Sequence, residues 1–146
     1  MVFELYQSHS PDLVDNFLAY ATSQAQNQKS YIGSSFSKGQ AGLGIFGGFI
    51  EGNCDNLGSN DQRLADENLE TRHFKRGILS MNNSGMNSNG AEFLVTFQAT
   101  NYLNGYHNVI GELVSGDNVL SAIEETVSRE GKIHGNWTVT SSGLQH

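Results

Sequence analysis

The fold of this chain is decided by the stretch GILSMNNSGMNSNGAEFLVTF, residues 77–97. Two apolar runs, from Ile78 to Met81 and from Glu92 to Phe97, have the length and composition of buried strands. The loop between them is rich in asparagine, serine and glycine, which tolerate positive φ and hydrogen-bond their own backbone. Asn89-Gly90 adds a strong turn signal just before the second run. The stretch therefore predicts two strands joined by a rigid loop that presents backbone donors and acceptors to a ligand.

Four further short segments have the aromatic, β-branched or alternating composition of strands. They run from Val2 to Tyr6, from Tyr31 to Phe36, from Val109 to Val114 and from Trp137 to Ser141. The glycine-dense segment 38–52 is assigned neither a helix nor a strand. The polar segment 53–66 is expected to be a long surface loop.

Two other segments have apolar residues at helical spacing. The first begins at Ser10-Pro11-Asp12, where Ser10 is the expected N-cap and proline takes the first helical position. The second runs from Asp117, again the expected cap, to Val127. Many short strands with two isolated helices predict a single, mainly β domain over residues 1–146, in which an antiparallel barrel is capped by the helices.

The charge balance excludes some classes of partner. Eight Lys and Arg against 15 Asp and Glu give a net charge of −7, so we expect no nucleic-acid partner. No segment has the length of a membrane span, so we expect no membrane insertion. Cys54 is the single cysteine, which leaves no intramolecular disulfide and is typical of a reducing compartment. We expect a soluble, intracellular chain whose compartment the sequence does not specify.

No cofactor or metal is expected from the motifs. The pattern Gly42-x-Gly44-x-x-Gly47 matches the dinucleotide fingerprint formally, but the residues after it do not predict the helix that would receive a phosphate. The polar segment 53–61 lacks the spaced glutamate of a calcium loop. The sequence has no Cys/His spacing typical of a zinc site.

The opening stretch resembles the signature of the cyclophilins. The matching residues, in order and spacing, are Leu79-Ser80-Met81, Asn83, Gly85, Asn87, Asn89-Gly90 and Phe93. Further matches cover nearly the whole chain, including Tyr31-x-Gly33-Ser34-x-Phe36, Asp66-Glu67-Asn68 and Leu103-x-Gly105-x-His107. The resemblance implies a cyclophilin-like barrel, peptidyl-prolyl cis-trans isomerase activity and a groove that binds an X-Pro peptide.

Several positions in that groove depart from the family pattern. The resemblance puts Lys38 where cyclophilins have an arginine that donates toward the prolyl nitrogen, and lysine lacks the planar fork of donors. Leu43-Gly44 replaces a Phe-Met pair, and Phe46 and Glu92 each replace a glutamine. The implied catalytic residues are Lys38 and His107, although a surface lysine and a hydrogen-bonded loop histidine are open alternatives. The implied peptide-binding residues are Phe36, Leu43, Phe46, Asn82, Asn83, Glu92, Leu94, Tyr102, Leu103 and His107.

The stretch from Val2 to Tyr6 corresponds to the second strand of the family. The first family strand, which lies between the second and last strands, has no counterpart in this chain. We therefore expect either an open edge along the stretches from Val2 to Tyr6 and from Trp137 to Ser141, where a protein partner could dock, or another segment that fills the gap.

These departures predict a degraded active site. Our hypothesis is a cyclophilin-like domain with weak or no isomerase activity that serves as a protein-binding or structural subunit of a larger assembly. The alternative is an active prolyl isomerase in which Lys38 replaces the arginine, while Leu103 and His107 hold the proline ring.

Overall fold

The computed structural model describes residues 1–145. Its strands and helices, in chain order, are β1 (Val2–Leu5), α1 (Pro11–Ala21), β2 (Lys38–Gln40), β3 (Gly44–Gly47), β4 (Ile78–Met81), β5 (Phe93–Thr96), β6 (Val109–Ser115) and α2 (Asp117–Glu124). A 3₁₀ turn at Asn101–Leu103 lies between β5 and β6.

The six strands form one sheet in the order β1-β6-β4-β5-β3-β2, and every neighbouring pair is antiparallel. β4 and β5 are the two strands predicted from the opening stretch, and Met81 lies opposite Phe93 at the base of their connecting loop. One antiparallel sheet with two helices confirms the predicted mainly β, cyclophilin-like fold.

Both central strands are buried at every position, which explains why their sequences are mostly apolar and do not alternate between apolar and polar residues. α1 packs its apolar face into the same core, which includes Leu13, Phe17 and Phe93. The Phe17 and Phe93 rings meet edge to face with centroids 5.4 Å apart, and Tyr31 lies 5.2 Å from each of them. This aromatic cluster fixes α1 next to the strand that follows the asparagine-rich loop.

α1 begins where predicted and Ser10 takes the N-cap position, but the expected side-chain cap is absent. The Ser10 side chain makes no capping hydrogen bond, and its buried Oγ has no partner among residues 1–145. The Glu67 carboxylate instead accepts from the backbone N–H groups of Asp12 and Leu13, at 3.2 and 2.7 Å. A carboxylate from the connection between β3 and β4 therefore satisfies the helix N-terminus, which also favours negative charge.

α2 also differs from its prediction at both ends. Its N-cap is Gly116, whose φ of 93° is in the left-handed region, and not Asp117. Asp117 lies in the first turn and accepts from Arg76 Nε at 2.8 Å. The helix ends at Glu124, before the predicted end at Val127.

The predicted strands from Tyr31 to Phe36 and from Trp137 to Ser141 are wrong as regular strands. Their pairing is limited to isolated bridges of Ser35 with Thr138 and with Phe49, and to neighbouring backbone bonds. The glycine-dense segment instead contains β2 and β3. Gly44 explains why, because a Cβ at this position would lie 2.2 Å from the Val95 carbonyl oxygen. β3 can approach β5 this closely only because residue 44 has no side chain. Glycines at such positions remove the alternation of apolar and polar residues by which a strand is recognised in a sequence.

The two edge strands of the sheet, β2 and β1, differ in whether another segment covers them. β2 is covered by a C-terminal segment, with Gly39 N–H donating to the Gly131 carbonyl oxygen at 3.2 Å. β1 pairs with β6, and Tyr6 N–H continues that ladder to the Ile110 carbonyl oxygen at 2.7 Å. Because backbone groups alternate sides along a strand, those of Phe3 and Leu5 point away from β6. No strand or isolated bridge within residues 1–145 pairs with that outer edge.

Candidate functional site

The loop between β4 and β5, residues 82–92, is named here the asparagine loop. Its side chains bind backbone groups within the loop and around it. Asn83 Nδ2 donates to the Tyr106 carbonyl oxygen at 2.9 Å. Asp66 and Asn87 exchange two hydrogen bonds, Asp66 N–H to Asn87 Oδ1 at 2.8 Å and Asn87 N–H to Asp66 Oδ2 at 3.0 Å. Asn87 has a φ of 55°, which asparagine tolerates. The predicted rigid loop thus has a physical basis in its own polar side chains.

Two predicted peptide-binding residues lie in the interior. Leu43 is 7% exposed and Leu94 is 1% exposed. A Cβ on Gly44 would lie 2.9 Å from Leu94 Cδ1, so the leucine takes the space beside this glycine. Leu43 and Leu94 consequently present little apolar surface to a proline ring, and Gly44 presents none. Phe36, another predicted contact, is half-buried and packs on Phe93 with ring centroids 6.0 Å apart.

Lys38, the predicted catalytic residue, lies opposite Phe46 in the β2–β3 ladder. Its side chain is exposed, and its ammonium nitrogen lies 5.3 Å from the centroid of the Phe49 ring. The observed contact of Lys38 is therefore a cation–π contact. Phe49 was missed by the sequence analysis because nothing in the local pattern brings it beside Lys38.

The retained residues of the predicted ring pocket lie on the segment 101–107. Leu103 and His107 are half-buried, whereas Tyr102 is 65% exposed. His107 Nδ1 is 3.0 Å from the Met81 carbonyl oxygen. A carbonyl oxygen only accepts, so Nδ1 carries a proton in this contact. The structure joins this segment to the asparagine loop through the Asn83–Tyr106 bond described above.

Asn82 and Glu92 face each other across the base of the asparagine loop. Asn82 Nδ2 donates to Glu92 Oε1 at 3.0 Å, and Asn82 N–H donates to the Glu92 carbonyl oxygen at 3.0 Å. Glu92 N–H donates to Asn56 Oδ1 at 2.8 Å. Three contacts thus hold Glu92 in place. Asn56 lies in the long loop, 36 residues away in sequence, and no local signal identified it.

Two adjoining cavities, of about 630 and 540 Å³, open at Glu92, and both are lined by Lys38, Phe49 and Glu92. We name this pair of cavities the Glu92 groove. The larger one also includes Phe46 and Asn82, and the segment from Ser128 to Gly131 forms its far side. Neither cavity is lined by Leu103 or His107. The structure therefore divides the predicted site residues into a groove group, a loop group and a buried group.

Within residues 1–145, no helix combines the length and apolarity needed to cross a membrane. The same residues contain no cluster of three or more His, Cys, Asp or Glu side chains arranged to hold a metal ion.

Comparison with known proteins agrees with the fold. The family model described as cyclophilin type peptidyl-prolyl cis-trans isomerase/CLD matches residues 1–144. The chain is also 33% identical over 150 residues to a protein of Bos taurus named "Probable inactive peptidyl-prolyl cis-trans isomerase-like 6". That alignment covers 98% of this chain and 49% of the bovine protein, so the chain spans about half the length of this relative. The chain belongs to the cyclophilin-type peptidyl-prolyl cis-trans isomerase family.

Proposed function

We propose that this cyclophilin domain has weak or no prolyl isomerase activity and serves as a protein-binding or structural subunit. The observation that carries the proposal is the loss of apolar surface at the proline site. Leu43 and Leu94 are buried in the interior, and Gly44 lacks a side chain. A proline ring would find few apolar partners there, and burial of apolar area is what holds such a ring.

The contact made by Lys38 supports the same proposal. Rotation about an X-Pro bond must break amide resonance, and a fixed donor near the prolyl nitrogen stabilises the twisted amide. Lys38 has a flexible stem and a single charged group, and this group lies over Phe49. Losing one well-placed donor costs roughly 100-fold or more in rate. The word "inactive" in the name of the bovine relative also supports the proposal.

Isomerisation of a short Ala-Pro peptide, followed by NMR exchange, tests this proposal. We expect the peptide to interconvert at its uncatalysed rate, over roughly tens to hundreds of seconds, even at high protein concentration. Exchange far above that rate that collapses in Lys38→Ala would overturn the proposal. The matched control is Lys132→Ala, which removes another exposed lysine and leaves Lys38 in place.

The alternative function, an active isomerase, is favoured by one specific observation. The half-buried Leu103 and His107 lie on a segment bonded to the asparagine loop, and His107 is held by its Nδ1 contact with the Met81 carbonyl oxygen. In this alternative, Lys38 acts as the electrophile and the two retained residues contact the ring. The Lys38→Ala comparison separates the two functions directly.

We further propose that a strand from a protein segment outside β1–β6 docks along β1. The outward backbone groups of Phe3 and Leu5, together with their half-buried side chains, support this proposal. Segments that add to a sheet edge gain their affinity from such main-chain bonds. Amide hydrogen exchange of this chain alone is the test. We expect fast exchange at Phe3 and Leu5, and slow exchange at both would contradict an unpaired edge.

A further inference from the structure

The Glu92 groove has a carboxylate at the point shared by its two cavities. Glu92 is half-buried, and Asn82 holds its Oε1 at 3.0 Å. No lysine, arginine or histidine within residues 1–145 forms an ion pair with it. A half-buried carboxylate without a counter-ion has lost part of its hydration and gains from an external cation.

Aromatic rings flank this carboxylate. Phe46 and Phe49 are half-buried, and both line the larger cavity together with Glu92. The ammonium of Lys38 already lies over the Phe49 ring, so this ring holds a cation in the structure, and an arginine from the groove would displace the flexible Lys38 side chain to stack there. A guanidinium group fits this combination best, because it bonds a carboxylate through two parallel N–H donors and stacks on aromatic faces.

Four other charged residues line the groove. Lys38 and Arg129 are exposed, as are Glu51 and Glu130, so these two positive and two negative charges are balanced and strongly screened. The partly desolvated Glu92 therefore dominates the choice of ligand charge. The net charge of −7 also favours the approach of a cationic segment.

We propose that the Glu92 groove binds an arginine side chain of a partner protein segment, with the guanidinium on the Glu92 carboxylate and against the rings of Phe46 and Phe49. A volume of about 630 Å³ for the larger cavity accommodates an arginine with its neighbouring backbone. This inference rests on the proposed protein-binding function and specifies the chemistry of the partner. It concerns a surface distinct from the segment that carries Leu103 and His107.

The test is an NMR titration of the ¹⁵N-labelled chain with the peptide acetyl-Gly-Ser-Arg-Ser-Gly-amide. Matched peptides carry citrulline, a neutral analogue of arginine, or lysine at the central position. We expect shifts at the amides of Phe46, Phe49 and Glu92. We also expect binding of the citrulline peptide to be about tenfold weaker, because a charge-assisted bidentate contact is lost. The lysine peptide should be intermediate.

The protein variant for this test is Glu92→Gln. A glutamine Oε1 still accepts from Asn82, so the variant keeps the loop contact and loses only the charge. We expect about a tenfold loss of affinity for the arginine peptide. Glu130→Gln, which removes an exposed carboxylate from the same cavity, is the matched control and should change affinity by less than about twofold.

Equal affinity for the arginine and citrulline peptides would overturn the inference, as would unchanged affinity in Glu92→Gln. Absence of binding, or shifts centred on Leu103 and His107, would overturn it as well. These outcomes do not bear on prolyl isomerisation, which the Ala-Pro assay measures separately. If arginine binding fails while isomerisation is absent, the proposed function stands and only its partner chemistry is wrong.

Discussion

The asparagine loop and the β2–β3 strand pair both contribute to the Glu92 groove, but they are held in place differently. The loop is fixed by side chains that satisfy backbone groups, such as Asn83, Asn87 and Asn89. The strand pair is fixed by its backbone ladder, and glycine at position 44 lets it approach β5 closely. The asparagine loop can therefore keep its shape while the side chains of the strand pair differ from the family pattern. The shape of the loop and the side chains of the strand pair are thus separable properties of one fold.

The strongest test of this difference is Gly44→Met, which adds the residue type that the family pattern has at this position. A Cβ here would lie 2.2 Å from the Val95 carbonyl oxygen and 2.9 Å from Leu94 Cδ1. We expect the free energy of unfolding to fall by about 3 kcal/mol in urea denaturation, because overpacking moves backbone. Gly143→Met, where a Cβ meets open space, is the control and should change stability little. If Gly44→Met is as stable as the parent chain, the close approach of β3 to β5 is not a constraint.

A smaller effect on stability is expected from His73, which contacts the strand leading into the asparagine loop. The Nδ1 of this buried imidazole lies 2.9 Å from Asn104 Oδ1, and its Nε2 lies 2.8 Å from Ser80 Oγ. Ser80 belongs to β4, the strand that precedes the asparagine loop. Burial lowers the pKa of His73, the bond to Asn104 opposes that change, and nearby His107 lowers the pKa further. Below a pH of about 6.5 the unfolded chain therefore binds more protons than the folded chain.

The stability that depends on a neutral His73 should be fully present above that pH and decrease as the pH falls toward the folded-state pKa. Thermal unfolding between pH 7.5 and 5 measures it as a falling Tm. The decrease in Tm between pH 7.5 and 5 should be smaller in His73→Gln than in the parent chain. In His9→Gln, which alters an exposed histidine, the decrease should equal that of the parent chain. A Tm that falls equally steeply in His73→Gln would remove His73 from this account.

The sequence predicted the parts of the fold that depend on local composition. β4, β5, β6 and both helices lie close to their expected positions because each has a period or an apolar run of its own. Two of the errors have a common cause, which is that the partner is distant in sequence. Glu67 caps a helix more than 50 residues before it. β2 and β3 are strands because β5 pairs with β3, and their glycines hide any alternation.

The candidate site shows the same limit. The resemblance indicated which positions to inspect, and it identified Lys38, Phe46, Asn82 and Glu92, which line one cavity. It gave no indication that Leu43 and Leu94 are buried, or that Phe49 and Arg129 complete the groove. Burial and cavity shape depend on packing between elements, and no single segment encodes them.

The amino-acid sequence by itself determined the family, the turn chemistry of the asparagine loop, the central apolar strands and the acidic charge. These properties follow from residue type and spacing along the chain. Only the tertiary structure decided where the Lys38 ammonium lies, that the half-buried Glu92 has no ion-pair partner within residues 1–145, and that the outer edge of β1 pairs with no strand among those residues. Each of these depends on distances between residues that are far apart in the chain, and those distances are fixed when the sheet and helices pack around one core.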